Sequence, residues 1–139
     1  MNIGIPLEVS QQELRVGATP KTVQRLQKQG FTVYIEKGAG IKANYADKEF
    51  EAVGANIVPT AKELYKTAAI VLKVLAPTEA EIELMHEGTV TLSYLWPAQN
   101  PELLKKLAEK KVNAIAMDAI PRISRAQNLF LIYITTFYI

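Results

Sequence analysis

The sequence contains no cysteine, which excludes disulfide bonds and thiolate metal sites and fits a reducing compartment. Its single histidine, His86, supplies by itself neither a catalytic triad nor a metal site. The net charge of +2 is too small to indicate binding to nucleic acid or to an anionic membrane surface. No apolar run reaches the roughly 20 residues of a membrane-spanning helix, and the N-terminus lacks the features of a signal peptide. We therefore expect no metal centre, no nucleic-acid partner and no direct membrane insertion by this segment.

The chain has the composition of an ordinary globular domain. It contains 139 residues, of which 49% are apolar and 22% charged, and this length suits one domain with a substantial core. Apolar segments predict six strands, at residues 2–6, 31–36, 55–58, 69–74, 90–95 and 112–117. Between them lie five helix starts, with Thr19-Pro20, Asp47, Thr60, Thr78 and Asn100-Pro101 as the capping positions.

Several of these strands are apolar on both faces and alternate with helices about 10 residues long. That pattern is typical of a mostly parallel sheet covered by helices on both faces. The sequence therefore predicts an α/β fold of Rossmann-like or flavodoxin-like type, with no internal repeat and no linker.

Polar residues follow some of the predicted strands. Arg15 lies in the loop after the first strand and just before a helix start, where a guanidinium suits a carboxylate or a phosphate. The alternative is a surface arginine paired with Glu13 or Glu8. Lys73 interrupts an otherwise apolar strand, so it either has a buried partner or reaches a cleft, unless its strand lies at the edge and faces water.

The richest polar segment follows the last predicted strand, from Pro121 to Gln127. It holds two arginines, a serine and a glutamine in one short loop. With Arg15, Lys73 and Trp96 it would form a ligand-facing rim, because the carboxyl ends of parallel strands lie at one edge of a sheet. An exposed loop without a ligand is the alternative, and Trp96 itself suits either the core or a stacking surface.

The same residues resemble the alanine dehydrogenase and nicotinamide nucleotide transhydrogenase family. Residues 1–8 and 13–20 resemble the start of its sequences, and residues 38–40, 52–55 and 72–77 continue the pattern. Residues 95–103 and 116–127 are most similar to the alpha subunits of bacterial proton-translocating transhydrogenases. The resemblance runs from residue 1 to about residue 127.

One position favours the transhydrogenase branch of that family. Alanine dehydrogenases place a catalytic histidine where this chain has Trp96, because reduction of a keto acid needs a proton at the carbonyl oxygen. Arg15 and Lys73 match residues that hold the keto acid in the dehydrogenases, so an alanine dehydrogenase-like fragment is the alternative. A non-catalytic binding or interaction module is the third possibility.

The resemblance implies hydride transfer between NAD(H) on this subunit and NADP(H) on a partner beta subunit, coupled to proton translocation in the complete complex. It also implies a second alpha subunit and a cytoplasmic position at the periphery of an inner-membrane complex. Arg122 and Gln127 are the implied donors to the nicotinamide and ribose, with Ser124 and Asn128 as further cofactor-binding candidates. No catalytic acid, base or metal is expected, because the reaction needs mainly apposition of the two rings.

The sequence departs from the family after Gln127. Residues 128–139 are apolar and uncharged after Asn128, where the family continues with small residues and an aspartate. We expect residues 1–127 to form the family's N-terminal domain and residues 128–139 to be an anomalous tail, from a frameshift or truncation. A genuine divergent strand is the alternative. The Gly-rich NAD-binding Rossmann domain is absent from the sequence, so we expect the chain alone to be inactive.

Overall fold

A computed structural model of the chain describes residues 1–120. It contains six strands, which confirm the six predicted from sequence to within two residues at each end. They are β1 (Asn2–Ile5), β2 (Thr32–Glu36), β3 (Asn56–Val58), β4 (Ile70–Leu72), β5 (Val90–Ser93) and β6 (Asn113–Ala116). The predicted loop at residues 121–127 and the apolar tail both lie outside the described residues.

The strands form one sheet in the order β3-β2-β1-β4-β5-β6, and every neighbouring pair is parallel. This is the strand order of the Rossmann fold rather than the flavodoxin order. The direction of winding reverses after β3, so β1 and β4 lie side by side at the centre. The predicted α/β class is confirmed, and the structure decides between its two variants.

Five helices connect the strands, as predicted. They are α1 (Pro20–Lys28), α2 (Asp47–Ala52), α3 (Ala61–Thr67), α4 (Glu79–Leu84) and α5 (Pro101–Glu109). The side chains of Thr19, Thr60 and Thr78 accept hydrogen bonds from the backbone N–H three residues later, which confirms three predicted caps. No helix within residues 1–120 has the length and apolar character needed to cross a membrane.

One predicted cap, Asp47, is wrong, and another, Asn100, has the predicted N-cap position but not the cap bond. Asp47 is the first helical residue of α2 instead of its cap, and its carboxylate accepts the Gly38 N–H at 2.9 Å. Asn100 precedes α5 but makes no cap bond, since its side-chain amide donates to the carbonyl oxygens of Leu95 and Trp96 at 2.9 and 3.3 Å. In both cases a partner outside the helix takes the polar group.

The helices cover the sheet from two sides and create two apolar clusters. Ile3 and Ile5 of β1 point to the cluster that contains Val23 of α1 and Phe50 of α2. Gly4 points the other way, and a Cβ added there would lie 2.6 Å from the Cβ of Ala68, which follows α3. Gly4 therefore lets the α3 segment pack directly on the centre of the sheet.

Candidate functional site at the carboxyl edge of the sheet

The loop that follows β1, residues 7–18, lies over the carboxyl end of β4. A Cβ added at Gly17 would be only 2.3 Å from the carbonyl oxygen of Leu72, so the two backbones are in direct contact. The contact lies where the strand order reverses between β1 and β4. In open α/β sheets such a switch point is where ligands bind. The buried charged side chains Glu8, Lys73 and Glu81 lie at this edge.

Lys73, directly after β4, is buried at this edge with only 1% of its surface exposed. Its Nζ lies 2.6 Å from Oε1 of Glu81 and 3.3 Å from Oε2 of Glu8. The other oxygen of Glu8 accepts the Val74 N–H at 2.7 Å. Lys73 therefore has buried partners, and the interpretation as a water-facing lysine of an edge strand is wrong, because β4 is an inner strand.

Glu81 carries the densest set of contacts in this cluster. Its Oε1 also accepts the hydroxyl of Tyr65 at 2.9 Å, while its Oε2 accepts the backbone N–H and the hydroxyl of Thr78 at 2.8 and 3.0 Å. Buried charges are tolerated when their hydrogen-bonding capacity is met in this way. We refer to Glu8, Tyr65, Lys73 and Glu81 as the lysine cluster.

The two carboxylates of the lysine cluster respond differently to burial. Burial raises the pKa of Glu8, and the nearby Lys73 charge offsets this only in part. Burial acts in the same direction on Glu81, but the charge and hydrogen bond of Lys73, together with the hydrogen bonds from Thr78 and Tyr65, outweigh it and lower the pKa of that carboxyl. Burial also raises the pKa of the Tyr65 phenol far above its usual range, which keeps its hydroxyl a donor. Glu81 is therefore the main counter-ion of Lys73.

Arg15 is paired within its own loop. Its side chain donates to both oxygens of Glu13 at 2.8 Å, and its backbone N–H donates to Oε1 at 2.9 Å. The hydrogen bonds from Arg15 lower the pKa of Glu13 despite the burial of that carboxyl. The pairing predicted as the alternative for Arg15 is thus confirmed, and the guanidinium, 39% exposed, lies at the surface.

Trp96 follows β5 at the same edge of the sheet. Its backbone has φ +44°, in the left-handed region that bulky side chains rarely adopt. Asp118 accepts the N–H groups of Leu95 and Trp96 at 2.8 and 3.0 Å. The indole is 42% exposed and stacks on Tyr94 with ring centroids 5.9 Å apart. Trp96 is therefore not a core residue, and its use as a stacking surface for a ligand stays a prediction.

His86 lies at the opposite edge, in the turn before β5. Its Nε2 is 3.0 Å from the Ala68 carbonyl oxygen, and its Nδ1 is 3.1 Å from that of Glu87. Because His86 is the single histidine of the sequence, no imidazole lies beside Trp96 and Lys73. Among residues 1–120 no grouping of histidine, aspartate and glutamate could hold a metal ion.

Sequence reasoning missed the roles of four residues at this edge, namely Tyr65, Asp118, and Glu8 and Glu81 as the partners of Lys73. Glu81 was recognised only as part of the capping box with Thr78, which the structure confirms. A buried lysine requires a carboxylate, so the sequence did signal that Lys73 has an acidic partner. Arg122, Ser124, Gln127 and Asn128 lie outside the described residues and remain predictions.

The geometry agrees with what comparison with known proteins finds. The sequence pattern of the family "Alanine dehydrogenase/PNT, N-terminal domain" matches residues 4–135. The chain belongs to this family. Its match extends past Gln127, the last residue of the predicted N-terminal domain.

Individual relatives support both branches of the alanine dehydrogenase/PNT family. The chain is 52% identical over 129 residues to the NAD(P) transhydrogenase subunit alpha of Haemophilus influenzae, covering 93% of this chain and 25% of that protein. It is 41% identical over 126 residues to an alanine dehydrogenase of Methanococcus maripaludis, covering 91% and 34% respectively. The structure of a transhydrogenase from Sinorhizobium meliloti matches with a TM-score of 0.87 at 33% identity, covering 91% of this chain and 38% of that one.

The chain thus spans about a quarter to a third of the length of these relatives. Members of the alanine dehydrogenase/PNT family are oxidoreductases that use nicotinamide dinucleotides, and the transhydrogenase relatives are subunits of larger assemblies. This chain corresponds to their N-terminal domain, and its lysine cluster lies at the switch point of that domain.

Within the lysine cluster, Glu81 makes a contribution to stability that depends on pH in the opposite sense to that of Glu8, whose pKa is raised. Because folding lowers the pKa of Glu81 below its ordinary value of 4.5, that contribution is present above pH 4.5 and is lost as the pH falls through the lowered value. We expect Glu81→Gln to reduce the free energy of unfolding by about 1–2 kcal/mol at pH 7, with the difference shrinking below about pH 4.5. Urea unfolding at a series of pH values measures this.

Glu79→Gln is the matched control, since Glu79 lies on the same helix and pairs with Lys106 but is 76% exposed. Its effect should stay within about 0.5 kcal/mol, as is usual for exposed ion pairs. A difference between wild type and Glu81→Gln that is the same at every pH would contradict the assignment of Glu81 as the titrating counter-ion.

Proposed function

We propose that this chain is the N-terminal domain of a transhydrogenase alpha subunit, which takes part in hydride transfer between NAD(H) and NADP(H). NAD(H) would bind in a cleft between this domain and a second, dinucleotide-binding domain, with NADP(H) carried by a beta subunit. The chemistry of the predicted donors fits such a ligand. The guanidinium of Arg122 and the amide of Gln127 suit a carboxamide oxygen and ribose hydroxyls, with Ser124 and Asn128 as further candidates.

The observation that carries this proposal is the residue at the carboxyl end of β5. Reduction of a keto acid needs an acid beside the carbonyl oxygen, whereas hydride exchange between two nicotinamides needs no proton from the protein. Trp96, whose backbone N–H is bound by Asp118, cannot act as this acid, because an indole does not release a proton near neutral pH. The single imidazole of the sequence lies at the other edge of the sheet.

The lysine cluster supports the same choice. A keto acid would have to draw the ammonium of Lys73 away from two carboxylates, one of them only 2.6 Å distant. Breaking a buried pair of this kind is costly. Within the proposed function the cluster instead fixes the β1 loop against the end of β4, and the nicotinamide when bound supplies the hydride chemistry.

In the proposed assembly this domain is a peripheral, cytoplasmic part of an inner-membrane complex with beta subunits and a second alpha subunit. Residues 1–127 would be the domain proper and residues 128–139 a tail of anomalous composition, of which the family pattern still matches the part up to residue 135. Coupling of hydride transfer to proton translocation would belong to the complete complex. The relatives named as alpha subunits support this proposal.

A domain exchange tests the proposed function. Residues 1–120 would replace the matching segment of the Haemophilus influenzae alpha subunit, which is 52% identical over the aligned region, and the hybrid would be produced with its beta subunit. We expect membranes that contain the hybrid to reduce an NAD⁺ analogue with NADPH. Membranes with the beta subunit alone provide the baseline.

The same hybrid decides the alternative activity. Alanine dehydrogenase activity is favoured by one observation, that Arg15 and Lys73 are both in segments at the edge where a keto acid would bind. We expect no oxidation of NADH that depends on pyruvate and ammonium. Such oxidation, lost in Arg15→Ala, would overturn the transhydrogenase proposal in favour of the dehydrogenase.

A further inference from the structure

The backbone at Leu95 and Trp96 is fastened on both sides. Their N–H groups donate to the carboxylate of Asp118, and their carbonyl oxygens accept from the side-chain amide of Asn100. The backbone N–H groups of Gln99 and Asn100 donate to the Trp96 carbonyl oxygen as well, at 2.9 and 3.1 Å. We call this segment the tryptophan elbow.

The tryptophan elbow keeps a strained conformation that none of its local residues favours. A φ of +44° is unfavourable for a bulky side chain and persists only where the surroundings impose it. Backbone strain of this kind is concentrated at ligand sites, because it fixes a side chain in an orientation that an ordinary strand end would not give. Asp118 and Asn100 impose it here, and their polar groups contact the elbow backbone.

The side chain that the elbow presents is a flat, partly exposed ring. The indole is 42% exposed, and the ring of Tyr94 lies alongside it at 5.9 Å between centroids and 22° between planes. A ring whose backbone is already fixed loses little conformational freedom when a ligand stacks on it. The electron-rich face of an indole is also the best aromatic partner for a positively charged ring.

We propose that the indole of Trp96 is a stacking surface for the nicotinamide ring, with Asp118 and Asn100 as positioning residues that hold the elbow. This inference rests on the proposed function, since it assumes that a nicotinamide dinucleotide reaches the carboxyl edge of the sheet. The residue at the end of β5 would then orient the nicotinamide ring, and would not donate a proton as the histidine of alanine dehydrogenases does. Asp118 and Asn100, which hold the φ of Trp96, would thus orient the indole toward the ligand.

The indole N–H of Trp96 offers a direct reporter for this contact. Trp96 is the single tryptophan that this chain contributes, so its signal in the ¹⁵N–¹H spectrum of the hybrid alpha subunit is the one that Trp96→Phe removes. Three ligands would be titrated into that hybrid, which supplies the second, dinucleotide-binding domain: NAD⁺, nicotinamide mononucleotide, and ADP-ribose, which has every part of NAD⁺ except the nicotinamide. We expect a saturable upfield shift of the indole resonance with the first two ligands and none with ADP-ribose.

Variants separate stacking from a merely structural role. Trp96→Leu should weaken the binding of NAD⁺, measured from ligand signals, about tenfold relative to wild type, with ADP-ribose unaffected. Trp96→Phe should retain most of the affinity because it keeps a flat ring. Ile41→Ala, at another exposed apolar residue, should leave the affinities for NAD⁺ and ADP-ribose unchanged. Asp118→Asn leaves one side-chain oxygen for the two backbone N–H donors of Leu95 and Trp96. It should weaken the binding of NAD⁺ but not that of ADP-ribose.

Each other outcome overturns the inference in a recognisable way. NAD⁺ that shifts other resonances and leaves the indole unmoved would refute stacking but not nucleotide binding. An equal shift with ADP-ribose would place the adenine on Trp96 in place of the nicotinamide. If no ligand moves the indole, the stacking proposal fails, and the hydride-transfer assay of the hybrid subunit decides the proposed function separately.

Discussion

Replacing Lys73 by methionine is expected to lower the free energy of unfolding by about 3–5 kcal/mol, the range for removing one partner of a buried ion pair. Methionine keeps most of the length of the side chain, so the loss arises from the charge and not from a cavity. Lys73 is 1% exposed and lies between the carboxylates of Glu8 and Glu81, which would be left buried without a cation. Urea unfolding followed by circular dichroism measures the change.

Lys111→Met is the matched control for Lys73→Met. Lys111 also pairs with a glutamate, Glu87 at 2.9 Å, but both side chains are 68% exposed. Removing an exposed pair should cost no more than about 1 kcal/mol. Equal losses in the two variants would show that burial does not govern the energetics of Lys73.

A double variant keeps the Lys73 prediction decisive even if the single variant folds poorly. Lys73→Met combined with Glu81→Gln removes the main counter-ion together with the cation, so less uncompensated charge stays buried. We expect the double variant to be more stable than Lys73→Met alone, because the interaction between contacting residues is not additive. A double variant as unstable as the sum of the two single changes would contradict the pairing.

Gly17→Ala is expected to cost about 3 kcal/mol, the upper end of the usual range for overpacking. The added methyl group would lie 2.3 Å from the carbonyl oxygen and 2.8 Å from the carbonyl carbon of Leu72. Both are backbone atoms of the central strand segment, which cannot rotate away as a side chain would. The β1 loop must therefore lift from the end of β4, and equilibrium unfolding should register the loss.

Lifting the β1 loop should also disturb the bond from the Val74 N–H to Glu8, which is 2.7 Å long. We expect Gly17→Ala and Glu8→Gln to be non-additive, because both changes affect the contact between this loop and β4. Gly30→Ala provides the comparison. Gly30 has φ +91° with open space around its Cβ position, so its cost is conformational and should add to that of Glu8→Gln. Additive effects for Gly17→Ala would contradict the close contact.

Much of the fold was accessible from the sequence because its signals are local. The apolar runs that predicted the strands and the Thr19, Thr60 and Thr78 caps depend on residues a few positions apart. The side chains of Asp47 and Asn100 make no cap bond for one reason. Asp47 and Asn100 found partners outside the adjacent helix, the Gly38 N–H in one case and the backbone of Leu95 and Trp96 in the other.

In the candidate site, too, the sequence revealed single residues but not the contacts between distant segments. The sequence singled out Arg15, Lys73 and Trp96 as polar or aromatic residues near strand ends, and all three follow strands in the structure. It did not reveal that Lys73 pairs with Glu8, because the two residues are distant along the chain and no local pattern couples them. Asp118 was equally hidden, since its bonds to Leu95 and Trp96 cross from one strand end to the next.

By itself, the sequence determined that residues 1–120 form an α/β domain with six strands and five helices, and its motifs pointed to the family that the comparisons then showed. Tertiary structure alone decided the strand order, the burial of Lys73 between two carboxylates, and the strained backbone of Trp96. The physical reason is the distance along the chain between the residues that interact. Helix and strand preferences are set by neighbours along the chain, whereas strand order, ion pairing and enforced strain arise only when distant segments pack together.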